Sequence, residues 1–216
     1  MLQRIHLKND IKQIMRDPIM SIFLFIPLLI IVLFKLLVVF LVPFIESRFA
    51  FDFLPYHPYL LAFVLLMNGG MLGLVTGFMM LDERDGHVFE LMSVTPLGRT
   101  GYLMNRLLLT SSLSVVYCLV AYYVLNLIEL PFYTMIFLCV LSAMYVVIIG
   151  LLLFSVAEDK VKGLTLAKAI NVLALFAFTD LLPIRWLTIL SWFFPPYWIT
   201  LIIKTPYSFF VYAVVT

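Results

Sequence analysis

The chain has 216 residues, 64% of them hydrophobic and only 12% charged, against about a quarter charged in an ordinary soluble domain; its mean hydropathy is +1.13. A water-soluble fold of this length has too little interior for so much apolar surface, and a disordered chain needs the opposite composition. What remains is a polytopic membrane protein with length for about six spans of roughly 20 residues, no sizeable soluble domain, and a net charge of +2 that is too small to argue for nucleic acid.

Residues 2–17 are mixed. Leu7, Ile11, Ile14 and Met15 share one helical face, and Arg4, Lys8, Lys12 and Arg16 recur every four residues beside it. This pattern predicts an amphipathic helix at the membrane surface, basic side chains toward anionic headgroups; a solvated helix is the alternative. The apolar run between Asp17 and Glu46, interrupted by Lys35 alone, is too long for the core of a cleavable signal peptide. It predicts span 1 over 19–42, with Pro27 as a kink.

After an outer loop with the turn signal LPYHPY at 54–59, span 2 is expected at 59–80. The longest polar stretch follows at 82–101. Span 3 is placed at 103–125, span 4 at 132–156, a charged loop at 158–163 and span 5 at 165–183. Beyond it, 186–203 is apolar but broken by Pro195-Pro196, and Trp186, Trp192, Tyr197 and Trp198 suit an interface belt. A re-entrant or interfacial outer hairpin is preferred over a kinked span. The final piece, 206–216, is a short sixth helix; eleven residues reach only about 16 Å. The fold class is therefore all-α, one transmembrane domain over 1–216. It holds five clear spans, a Pro-broken outer hairpin, a short sixth helix and an N-terminal interfacial helix.

Basic residues set the orientation. Arg4, Lys8, Lys12, Arg16, Arg84, Arg99, Arg106, Lys160, Lys162 and Lys168 all fall on one side of spans 1–5, which makes that side, with the N-terminus, cytoplasmic in a cell membrane. Cys118 and Cys139 lie inside apolar runs and read as small core residues rather than a disulfide. No H-E-x-x-H, G-x-S-x-G or phosphate-loop motif is present, and His6, His57 and His87 lie outside the spans. An enzyme is not expected, and this chain supplies no nucleotide chemistry.

Within 82–101, Val88, Leu91, Met92 and Thr95 share one helical face, while Arg84, His87 and Glu90 recur at spacing three on another. A short amphipathic rod with both charge signs, held between two membrane helices, is what a docking element for a soluble partner needs; a plain solvated loop helix fits the pattern equally. The segment Asp82, Glu83, Arg84, Asp85, Gly86, followed by Glu90, Leu91, Met92, Thr95 and Pro96, resembles the cytoplasmic loop of type-2 ATP-binding-cassette (ABC) exporter permeases. KNDIKQIMRDP at 8–18 resembles the same family's amphipathic N-terminal helix. His87 departs from the small residue usual there, and the last span is short.

The resemblance implies an exporter permease subunit working by alternating access, with ATP and Mg bound and hydrolysed on a separate cytoplasmic ATPase. That partner would grip a coupling helix carrying Glu83, Arg84, His87, Val88, Glu90, Leu91 and Met92. A second permease copy or related chain would complete the pathway. The rival reading is a non-transporting integral-membrane scaffold. Gly69, Gly73 and Gly77 recur every four residues along span 2 as a helix-packing stripe, or by coincidence toward lipid. Lys35, Asn68 and Asp180 are the candidate pathway residues: Lys35 either snorkels outward or pairs with Asp180, and Asp180 alternatively pairs with Arg185. The substrate is not legible in apolar spans.

Overall fold

The computed structural model describes residues 12, 14–49, 52–87, 98–182 and 184–206. All regular structure among them is helical. Asp17 starts the first helix: its carboxylate accepts the Ile19 and Met20 amides at 2.8 and 3.2 Å, and Pro18 occupies the first turn, where a missing N–H costs nothing. Helix α1 (Pro18–Leu36) passes through Pro27 and widens into a π-turn at Leu37–Leu41 before α2 (Val42–Phe49). The wide turn lies just before Pro43, whose ring would collide with the carbonyl four residues back in a regular α-helix. Span 1 thus extends to Arg48 rather than stopping at 42.

A 3-10 turn (Leu54–Tyr56) leads into α3 (His57–Asp85), α4 covers Gly98–Leu125 and α5 covers Phe132–Val156. Asn126, in a left-handed conformation (φ 48°), ends α4. Helix α6 (Lys160–Val172) is N-capped by Asp159 and continues as a 3-10 helix to Leu181. Two sequence boundaries shift here. Asp82–Asp85 are the last turn of α3, not the start of a loop helix, and Lys160–Gly163 open α6 rather than forming a loop.

These are five helices long and apolar enough to cross a membrane, and the chain is a multi-pass membrane protein. α3 is the hub: 78% of its apolar window is buried, against 11% for the first span. Its main neighbours are α5, α4 and α1. The two ends of the bundle are named here for Lys160 and Lys204.

The tail is a hairpin. α7 (Arg185–Ser191) and α8 (Pro195–Lys204) meet at 104°. Pro195 and Pro196 form the first turn of α8, so the pair starts a helix instead of breaking one. α7 begins just beyond Leu181 at the Lys204 end. The tip, Phe193 and Pro195, faces Met144, Tyr145 and Ile148, halfway along α5, across a shared cavity. The far end of α8 returns to the start of α5, where Tyr133 and Thr134 donate to the Pro206 carbonyl. The hairpin therefore enters and leaves at one end. Phe176 stacks on Phe194 at 4.2 Å, and the Trp198 indole donates to the Trp192 carbonyl at 2.8 Å across the tip. The short sixth helix at 206–216 and most of the interfacial helix at 1–17 lie outside the described residues. Of that helix's predicted apolar face, Ile14 is buried and Met15 exposed.

Candidate functional site

At the Lys160 end, three consecutive residues of α3 reach three different neighbours. Successive helical residues point about 100° apart, so Asp82, Glu83 and Arg84 cannot share a face. Asp82 accepts the Lys160 ammonium of α6 at 3.0 Å. Glu83 forms a buried ion pair with Arg106 of α4, one contact being 2.9 Å from Nε, and also accepts the Tyr102 hydroxyl. Arg84 turns to α5 and its exit, donating to the carbonyls of Phe154, Ala157 and Glu158 at 3.2, 2.7 and 2.6 Å. The last carbonyls of a helix have no partner of their own, so Arg84 caps α5 while fastening α3 to it. The guanidinium also lies over the Phe154 ring at 5.5 Å.

Lys160 carries the connection to α1, because its ammonium also pairs with Asp17. Burial alone would raise the Asp17 carboxyl; the Lys160 ammonium and the Met20 and Ile19 amides outweigh it and hold the carboxyl below its ordinary value. The end of α3 is thus tied to the ends of α1, α4, α5 and α6. Gly86 and His87 then turn the chain out of the helix, His87 with φ 57° and exposed.

The residues expected to face a soluble partner divide accordingly. Glu83 is 5% exposed and its carboxylate is engaged inside the bundle. The Arg84 guanidinium is engaged on α5, and His87 stands at the surface where the loop begins. Val88, Glu90, Leu91 and Met92 lie outside the described residues. Arg106, Tyr102 and Lys160 were not singled out as members of this cluster. The available signal was a charge inside the first turn of an otherwise apolar span, as at Arg106.

At the Lys204 end, Lys35 and Asp180 do not pair. Lys35 donates to the Leu125 carbonyl at the end of α4 (3.2 Å). Asp180 accepts the Lys204 ammonium (3.1 Å), which also reaches the Tyr59 hydroxyl (2.8 Å) and lies over that ring. The expected Lys35–Asp180 pair is replaced by a latch holding the hairpin to α3 and to the 3-10 end of α6. Asn68 is 3% exposed within the bundle interior. The glycine stripe faces α5: a Cβ at Gly69 would meet Tyr145 at 2.9 Å, at Gly73 Ile149 at 2.6 Å, and at Gly77 Leu153 at 2.5 Å.

A family model described as "Fluoroquinolones export permease protein Rv2686c-like" matches residues 10–215. Two Mycobacterium tuberculosis proteins, the fluoroquinolones export permease proteins MT2760 of strain CDC 1551 / Oshkosh and Rv2686c of strain ATCC 25618 / H37Rv, are each 25% identical over 198 residues, 88% of this chain and 77% of theirs. No solved structure matches.

Proposed function

Because the chain belongs to the Rv2686c-like fluoroquinolones export permease family, we propose that it is the membrane-spanning subunit of an ATP-driven exporter, powered by a separate ABC ATPase. The Lys160 end, which carries Lys12, Arg16, Arg84, Arg106, Lys160, Lys162 and Lys168, lies in the cytoplasm of a cell membrane on this reading, by the positive-inside rule. The ATPase grips the segment that leaves α3 after Gly86.

One observation carries the reading: the helix that feeds this segment ends in a trio bound directly to α4, α5 and α6 and, through Lys160, to α1. A push on the loop therefore reaches α1, α4, α5 and α6 together. That is the behaviour required of a part that converts closure of a soluble motor into rocking of a membrane bundle. A scaffold has no need of such linkage. The interior of one protomer is close-packed along α3, so a route for a drug-sized molecule runs between two permease chains, identical or related. The relatives' names suggest the substrate class: planar, amphiphilic aromatic drugs of the fluoroquinolone type.

The test is export. The chain is co-expressed with its ATPase in a host stripped of other drug pumps, and retention of a fluorescent fluoroquinolone is followed. Lower retention that disappears when the phosphate-loop lysine of the ATPase is replaced supports the reading. Retention unaffected by the pair, or lowered equally by the inactive ATPase, refutes it.

A further inference from the structure

The middle of α3 holds a polar residue that the Asp82–Glu83–Arg84 cluster, the latch and the glycine stripe leave unused. Asn68 is 3% exposed, and neither its Nδ2 nor its Oδ1 makes a hydrogen bond; the Ser142 hydroxyl, also 3% exposed, makes none either. These groups share one level. α3 and α5 run in the same direction in constant register, Gly69 against Tyr145 and Ser142, Gly73 against Ile149, Gly77 against Leu153. Leu72 clusters with Val146 of α5 and Tyr117 of α4. One turn nearer the Lys204 end, the same register sets Asn68 level with Ser142 on α5, and the antiparallel pairing of Thr76 with Thr110, carried back two turns, sets it level with Cys118 on α4. The Cys118 thiol in turn lies beside Cys139 and Ser142.

An amide and a hydroxyl buried without partners are costly in any protein, and more so inside a bilayer, where no solvent can serve them. Nearby hydroxyls do not help. Thr76 and Thr110, two turns toward the Lys160 end, satisfy one another and the Leu72 and Leu107 carbonyls. The node offers a carbonyl acceptor, an amide donor, a hydroxyl and two thiols at one level of the bundle. Buried water takes two to four such partners.

We propose that the Asn68–Ser142–Cys118–Cys139 node is a water-binding site at the centre of the α3–α4–α5 interface. Water there bridges the Asn68 amide to the Ser142 hydroxyl and the adjoining Cys118–Cys139 thiol pair, and it joins three helices through a contact that can re-form after a small shift. The proposal concerns the fold and does not depend on what powers the protein.

Radiolytic hydroxyl-radical footprinting of the full chain in lipid nanodiscs tests it, because the radicals arise from water and oxidise sulfur beside it. The sequence supplies its own controls. Met79 and Met80 are fully buried on α3, and Met15 is exposed at the Lys160 end. Cys118 and Cys139 are expected to oxidise along with Met15 while Met79 and Met80 stay silent. In Asn68→Leu with Ser142→Ala, oxidation of both thiols is expected to drop about tenfold, as water loses its polar partners. Thiols as silent as Met79 and Met80 in the unaltered protein overturn the proposal, as does undiminished thiol oxidation in the double variant. If that variant does not fold, the comparison within the unaltered protein decides alone.

Discussion

Gly73→Ala adds one methyl group where α3 and α5 touch. The new Cβ would lie 2.6 Å from Ile149 Cβ, 2.8 Å from its Cγ2 and 3.0 Å from the Val146 carbonyl. Carbon atoms in contact ordinarily sit about 3.5–4.0 Å apart, so the helices must part by roughly 1 Å along this seam. Overpacking of this kind costs about 1–3 kcal/mol, and the better helix propensity of alanine returns about 1 kcal/mol. The net loss is about 0–2 kcal/mol, which for a chain of 150–250 residues lowers the melting temperature by up to roughly 8 °C. Gly70→Ala is the control: its Cβ meets the Asn171 amide oxygen at 3.4 Å, an ordinary contact, so only the propensity gain remains. Ile149→Ala should not rescue Gly73→Ala, because the nearest clashing atom is Ile149 Cβ itself, which alanine keeps. Melting curves in detergent, read by size-exclusion fluorescence, compare the four proteins. Equal stability of Gly73→Ala and Gly70→Ala, or rescue by Ile149→Ala, would refute the packing argument.

The remaining predictions concern the charged groups. Glu83→Leu removes the carboxylate that Arg106 pairs with inside the bundle and should cost about 3–5 kcal/mol, whereas adding Arg106→Met should recover most of it; the same melting assay decides, and a double variant no better than the single contradicts the pairing. Asp180→Lys and Lys204→Asp should each loosen the hairpin by about 1 kcal/mol, the scale of a partly exposed pair. Proteolysis within 185–204 should accelerate in each and return to the original rate in the combined swap. The Asp17 carboxyl is held below its ordinary value of 3.8. The stability it contributes is therefore complete above that value and is lost as pH falls through the lower folded-state pKa. Melting temperature scanned from pH 7 to 3 should consequently be less acid-sensitive in Asp17→Asn, and an unchanged profile would show that the Lys160 bridge contributes nothing.

Five spans were legible because apolar length is a one-dimensional property, and the glycine spacing because it repeats at the helical period. Helix ends were harder to place. Asp82, Glu83 and Arg84 look like a loop in the sequence, since charges usually mark water. They remain helical because α4, α5 and α6 supply partners that the sequence places tens of residues away. Lys35 and Asp180 do sit toward the same end of the bundle, as their depths suggested. Depth does not fix the angle around a bundle, and only the hairpin's return brings Lys204 to Asp180. The proline pair at 195–196 marked a break in the tail. Its helical role came from landing in a first turn, which depends on where Phe194 leaves the preceding helix.

The glycine stripe and the Asp82–Glu83–Arg84 trio belong to one uninterrupted rod. Their mutual bearing is fixed by the number of residues between Gly77 and Asp82. Deleting one residue there would swing the trio by about 100° and present each neighbour with the wrong side chain, while the stripe stayed seated. Single-residue gains and losses are therefore barred from this stretch. Among kindred chains, alignment gaps should be missing between 69 and 84.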